Sequence, residues 1–309
     1  MRNKTRLTRR TFLTAAGTAV AVPTVLSRLA FGQRTLKPVT DDEMKKILDA
    51  VPEKATAKPA KPRKMLIFWR CEGFFHGSIR VGNEALRVLG DKTGAYESVI
   101  TDDMAVFDPG KLDEFDVVMF NNTTRLKFDD EKRRKNVMDF IKSGRGICGI
   151  HAATDNFYDW PEAAEMMGGL FDGHPWGGGG TWAFQIEEPD HPINKGFGGK
   201  GFLIKDEIYK MKDPYSRENL RILVGLDMTK KRNHKGREDD DNAVAWIREY
   251  EGGRVFYCSL GHNNEIFWTP AVLQHYLDGI QYAMGDLKAD ATPSAKLAKR
   301  PAIAPCPEE

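Results

Sequence analysis

The sequence predicts an α/β domain, a three-layer sandwich whose mostly parallel sheet carries an antiparallel C-terminal extension. Three observations predict it. Short apolar runs in the first half are continuous rather than alternating, helical periodicities separate several of them, and the strand-like runs of the second half succeed one another without long helices. Continuous apolar strands are buried on both faces, as in a parallel sheet covered by helices. A β–helix–β series of this kind closes with right-handed crossovers.

Taken in order, the chain opens on an export signal. Thr8-Arg9-Arg10-Thr11-Phe12-Leu13 is a twin-arginine motif, followed by a mildly apolar run from Ala15 to Ala30 and by Ala30-Phe31-Gly32, a small-residue cleavage pattern. Residues 1–32 are expected to be removed, with the mature start near Gln33. The apolar run is shorter than the roughly 20 residues a bilayer needs, and Gly, Thr and Pro dilute it. The mature protein is therefore expected to be periplasmic and not membrane-embedded, with the twin-arginine translocase as its partner during export.

Residues 33–63 are expected to form an N-terminal segment and linker, helical over Asp41 to Ala50 and then rich in Ala, Lys and Pro. The folded domain spans 64–287. Met65 to Trp69 is a strand, Ser78 to Leu89 a helix, Tyr96 to Thr101 and Asp116 to Asn121 strands, Asp129 to Ser143 a helix and Gly146 to Ile150 a strand. This order is flavodoxin-like. Further strands are expected at Thr181 to Glu187, Leu203 to Met211 and Leu220 to Leu226, then a hairpin of Ala243 to Glu249 and Gly253 to Ser259 turning at Glu251-Gly252-Gly253. Pro270 to Met284 is a closing helix, with Thr269 as its N-cap. The tail, 288–309, is expected to be disordered.

Charge and cysteine content exclude several functions. The chain has 46 basic and 44 acidic residues, and losing the six basic residues of the signal leaves 40 against 44. A mildly acidic protein lacks the basic surface that would neutralise phosphates, so nucleic acid is not an expected partner. Cys71, Cys148, Cys258 and Cys306 are scattered and include no C-x-x-C pair, so neither a disulfide framework nor thiol exchange is expected.

The chemistry collects after the strands, where the crevice of a parallel sheet lies. The first is followed by Cys71-Glu72-Gly73-Phe74-Phe75-His76, the third by Asn121-Asn122-Thr123-Thr124 and the fourth by His151-Ala152-Ala153-Thr154-Asp155. Later come Gly173-His174-Pro175-Trp176, Asp206-Glu207 and Gly261-His262. Imidazoles gathered at strand ends suit proton transfer or metal ligation near neutral pH. His191, His234 and His275 read instead as turn, loop and helix-face residues. Gly177 to Gly180 lacks the Lys-Ser/Thr of a phosphate loop, leaving close backbone approach and plain flexibility both open.

The ordered set Phe75-His76, Gly149 to Asp155, Gly173-His174-Pro175, Asp190-His191-Pro192-Ile193, Asp206 to Tyr209, Ala245-Trp246 and Gly253-Arg254-Val255-Phe256-Tyr257 through Gly261-His262 resembles the ThuA-like trehalose-utilisation family. The resemblance covers roughly residues 64 to 285. It implies a fold like that of class I glutamine amidotransferases and a part in processing sugars oxidised at C3. The amidotransferase chemistry itself does not transfer. Gly149 comes directly after Cys148 and His151 stands near the expected Gln, so Cys148 reads as strand core.

The expected substrate is a small keto-sugar or its glycoside. A ketone at C3 acidifies the C2 proton, and the enolate left by its removal can expel the C1 substituent. His151 is the expected base, with Asp155 orienting it or acting nearby, and Glu207 the acid. His76 and His262 would stabilise the enolate oxygen directly or through a divalent metal such as zinc, while Asn121, His174 and Trp176 complete the substrate contacts. The alternative is a non-catalytic carbohydrate-binding or interaction module using Trp176, Trp182 and Trp246.

Overall fold

A computed structural model describes residues 35–307, so the expected twin-arginine signal and cleavage site lie outside the described residues. The strands and helices all belong to the compact unit that begins at Lys37. Its strands are β1 (Lys64–Phe68), β2 (Glu97–Thr101), β3 (Val117–Asn121), β4 (Gly146–Ile150), β5 (Leu170–Phe171), β6 (Thr181–Ile186), β7 (Phe202–Lys205), β8 (Met211–Lys212), β9 (Arg221–Leu226), β10 (Ala243–Tyr250) and β11 (Gly253–Cys258). Its α-helices are α1 (Asp41–Ala50), α2 (Ile79–Thr93), α3 (Glu131–Lys142), α4 (Pro161–Met167) and α5 (Pro270–Ala283).

Nine strands form one sheet in the order β2-β1-β3-β4-β11-β10-β9-β6-β7. The five from β2 to β11 run parallel, and the remainder alternate antiparallel. The two-residue period of a strand sorts side chains into two cores. Met65 and Ile67 pack with α2 and α5 residues such as Leu86, Leu277 and Ile280, whereas Leu66 and Phe68 pack with Val137, Phe140 and Ala163 of α3 and α4. Helices therefore cover both faces, and the three-layer sandwich with its antiparallel extension is as the sequence predicts. None of the helices among the described residues is long and apolar enough to cross a membrane.

The helix starts obey local chemistry. Thr40 and Glu43 form a reciprocal capping box at α1, and the Asp130 carboxylate accepts from the Lys132 N–H at the start of α3. Thr269 precedes α5 with Pro270 at its first position, but the Thr269 hydroxyl donates to the Glu265 carbonyl instead of capping.

Three regions depart from expectation. The predicted strand from Leu203 to Met211 is two short strands, β7 and β8, separated by Asp206 to Lys210, where the backbone leaves β6 and Ile208 and Lys210 donate to the carbonyls of Trp176 and Gly173. The 52–63 segment is a strap rather than a free linker: Ala57 exchanges hydrogen bonds with the Gln281 side chain, Thr56 bonds Asp278, and Arg63 pairs with Asp286 and Asp116. The tail expected to be disordered is held through its described part. Ser294 bonds the Ile222 amide, Ala304 pairs with Ile186 in an antiparallel bridge, and the Cys306 N–H donates to Asp227.

The strap leaves a pH-sensitive mark. Burial pushes the Asp278 carboxyl up to about 6 from its ordinary 3.8, against the hydrogen bonds from Thr56 and Gln274 that hold it down. The folded state thus binds more protons than the unfolded chain, and stability rises as pH falls from above 6 to below about 4. Asp278→Asn, neutral at every pH, should stabilise the protein at pH 8 by up to about 3 kcal/mol and confer little near pH 4. Calorimetric Tm values for both proteins at pH 4, 6 and 8 check this. A gain that does not change with pH contradicts it.

Candidate active site

Strand directions put the chemistry on one edge of the sheet. The carboxyl ends of β1, β3, β4 and β11 share that edge, and four successive antiparallel pairings bring the end of β7 there as well. His76 therefore arrives from the loop after β1, His151 directly after β4, Glu207 after β7 and His262 after β11. His174 joins them because residues 173–176 pair with the Glu207 loop: the Ile208 N–H donates to the Trp176 carbonyl and the Lys210 N–H to that of Gly173.

Glu207 is the hub. Its Oε1 lies 3.2 Å from His262 Nδ1 and 3.6 Å from His151 Nε2, and its Oε2 lies 3.3 Å from His174 Nδ1. The rings of His76, His151 and His262 form a triangle with centroids 4.9 to 5.3 Å apart and steep mutual planes of 75° to 89°. One nitrogen from each of these three and one Glu207 oxygen lie within 4.8 Å of one another, a set that could hold a metal ion.

His151 has a fixed orientation. It sits at the junction of β4 with a short 3-10 turn, in the left-handed region at φ 49°. The Tyr257 hydroxyl donates to its carbonyl at 2.7 Å, and its Nδ1 meets the Ser259 carbonyl at 2.7 Å. A carbonyl can only accept, so Nδ1 carries a proton and Nε2 is the nitrogen turned toward Glu207.

The His262 loop is held from both sides. The Asp206 carboxylate accepts from the backbone N–H groups of Gly261 (2.7 Å), His262 (3.3 Å) and Asn263 (2.7 Å). The Gly261 carbonyl accepts from the Ser78 hydroxyl and from the Asn122 amide. Gly178 explains part of the glycine run, since a Cβ there would lie 2.8 Å from the His262 ring. Close backbone approach, one of the two readings left open for that run, applies at this residue.

Burial and crowding set the electrostatics. Burial, aided by the neighbouring His151 and His262, depresses His76 to about 2, so it stays neutral. Burial raises the Glu207 carboxyl, but His151 and His262 outweigh it and hold the group well below the usual range. Burial lowers His262, yet the Glu207 carboxylate more than compensates and the net shift is upward.

The expected site residues divide cleanly. His76, His151, His174, Glu207 and His262 come together as the sequence predicts. Asp155 does not orient His151: it binds the Tyr158 hydroxyl at 2.5 Å and Arg125 at 3.0 Å, and the Ser259 carbonyl takes the orienting place. Asn121 lies beneath the site, fully buried, its amide donating to the Asn83 side chain. Trp176 is wholly buried with its indole N–H on the Asn233 carbonyl, and so packs in the core rather than against a ligand. Cys148 is a buried mid-strand residue whose thiol is pushed well up by burial, as expected of a core cysteine.

Two neighbours are not among the residues expected from sequence. Tyr209 packs 4.3 Å from the His151 ring, with its hydroxyl 3.5 Å from His76 Nε2. Phe74 stands edge-on to His76 at 4.8 Å and is 66% exposed, an apolar ring at the rim. Both lie in segments whose ionisable residues draw attention first; a large aromatic beside a strand-end histidine is the signal that could have found Phe74.

Comparison with known proteins agrees with this fold. The family model described as ThuA, trehalose utilisation, matches residues 64–283. A ThuA-like protein of Bacteroides uniformis has a solved structure similar to this one, with a TM-score of 0.57 and 20% identity over 74% of this chain and 94% of that one. Another, from Parabacteroides merdae, gives a TM-score of 0.57 and 19% identity over 74% of this chain and 93% of its own. No curated protein matches the sequence.

The Asp206 contacts predict the effect of losing them. Asp206→Ala strands three backbone donors in a buried loop, which should cost about 3 kcal/mol, or a fall in Tm of about 6–12 °C for a domain of this size. Asp206→Asn, which keeps one acceptor oxygen, should lose less. Thermal unfolding of the two variants beside the parent checks the order.

Proposed function

Because the chain belongs to the ThuA trehalose-utilisation family, we propose that it is an exported enzyme acting on a small keto-sugar or 3-keto-glycoside by acid–base chemistry. The observation that carries this reading is the convergence of His76, His151, His174, Glu207 and His262 from sequence positions almost two hundred residues apart. Structural histidines have separate partners, as His191, His234 and His275 do, each bonded to its own backbone carbonyl. A shared focus suits a reacting molecule.

The geometry redistributes the roles expected from sequence. His151 is fully buried and its Nε2 faces Glu207, so it is poorly placed to collect a proton from a substrate at the rim. The Glu207–His174 pair is better placed: the His174 side chain is 56% exposed and touches the Oε2 end of the carboxylate. In this reading the C2 proton passes to that pair, the enolate oxygen faces His262, the least buried of the three clustered histidines, and the pair returns a proton to the departing C1 oxygen. Phe74 offers an apolar face to the sugar ring at the entrance. The binding-module alternative loses its aromatic surface, since Trp176 and Trp246 are fully buried and Trp182 nearly so.

The test is turnover of 3-keto-glycosides by the mature chain, with and without added Zn²⁺, monitored by proton NMR. Aglycone release or C2-proton exchange is expected, with Glu207→Gln losing at least about 100-fold and His174→Ala about tenfold. Tight binding without either reaction would favour the module and overturn the enzyme reading.

Export is the second part of the proposal and rests on the Arg9-Arg10 motif. Changing both arginines to Lys should hold the protein in the cytoplasm. Fractionation showing a normal periplasmic yield would refute it.

A further inference from the structure

We propose that His76, His151, His262 and Glu207 form a binding site for one divalent transition-metal ion of the zinc class. The proposal deepens the keto-sugar reading and rests on it for what the ion does, though not for whether it binds.

Three features of the site converge on a cation. His76 Nδ1, His151 Nε2 and His262 Nδ1 are all buried with no hydrogen bond of good geometry, and the latter two share one acceptor, Glu207 Oε1, at 3.6 and 3.2 Å. Buried nitrogens so poorly satisfied are uncommon, and three around one carboxylate more so. The Ser259 carbonyl on Nδ1 leaves Nε2 as the His151 nitrogen that can bind, and is the outer contact that metal-bound histidines usually make.

The two Glu207 distances suit a small ion, within a set whose ligand atoms lie up to 4.8 Å apart. Ligand atoms about 2.0–2.1 Å from a tetrahedral ion stand about 3.3 Å from one another. Glu207 Oε1 is 3.2 Å from His262 Nδ1 and 3.6 Å from His151 Nε2. The steep angles among the three rings allow their nitrogens to meet at a point without stacking. Three imidazoles and one carboxylate favour zinc, cobalt or a similar ion over magnesium or calcium, which take oxygen ligands.

The same geometry excludes His174. It touches the other carboxylate oxygen, is largely exposed and stacks on Phe171, so it would hold Glu207 from outside the ligand set. When bound, the ion would supply Lewis acidity to a ketone or enolate oxygen.

The mature chain, purified without a histidine tag and stripped with chelator, should bind one Zn²⁺ or Co²⁺ by calorimetry and elemental analysis. The Co²⁺ form should show visible bands of a four- or five-coordinate site. His151→Gln, His262→Gln and Glu207→Gln, each checked for folding by circular dichroism, should weaken binding by at least about 100-fold. His234→Ala, at an exposed residue away from the cluster, should bind within about threefold of the parent. Absence of stoichiometric binding, or unchanged binding in well-folded His151→Gln and His262→Gln, overturns the proposal. Because no substrate is present, metal binding without keto-glycoside turnover would sink the reaction and keep the site. Turnover by a metal-free chain would keep the reaction and overturn the ion's part in it.

Discussion

The site depends on one buried carboxylate. Asp206, with no exposed surface, gathers three successive backbone N–H groups from the loop after β11 and so decides where His262 stands. Its own position is fixed from β7, and the next residue is Glu207. One short segment therefore supplies both the hub of the site and the brace that holds a histidine against it. Burial raises the Asp206 carboxyl, opposed by His151, by the Gly261 and Asn263 N–H groups and by His262, a balance that ties its charge to the site it supports.

The two halves of the sheet make unequal but necessary contributions. The parallel half brings His76 and His151 to a common edge through strand ends, the usual crevice of such sheets. The antiparallel half brings Glu207 and His174, because β7 points the same way as β1 after its reversals. Neither half alone holds a complete site. The junction is at β11, parallel to β4 on one side and antiparallel to β10 on the other, and His262 comes just after that strand.

Much of this was legible because strand ends are readable. Continuous apolar runs locate β1, β3 and β4, and the residues just beyond them must lie at the sheet edge, so His76 and His151 can be placed there from sequence alone. Local pairing failed to read through. Asp155 is four residues from His151 and looked like its partner, but Tyr158 and Arg125 claim its oxygens. Trp176 sits two residues from His174, yet a strand-like turn sends its ring to the core. The Ser259 carbonyl that orients His151 has no side-chain signature at all. Nor does low apolar content betray the strap and tail, whose order comes from hydrogen bonds to distant Asp278, Gln281, Ile186 and Asp227.

The C-terminal segment has a further consequence. β7 lies at the border of the sheet and pairs with β6 from Thr181 to Phe184, leaving Ile186 beyond its reach. Ala304 takes that place, donating to and accepting from Ile186 at 2.9 Å, while the chain crosses so near Gly201 that a Cβ there would lie 2.5 Å from the Cys306 nitrogen. Unpaired strand borders recruit foreign strands. Residues 304–306 thus act as a selvedge for the stretch of β6 that β7 leaves uncovered, occupying backbone groups that an incoming strand would otherwise bind.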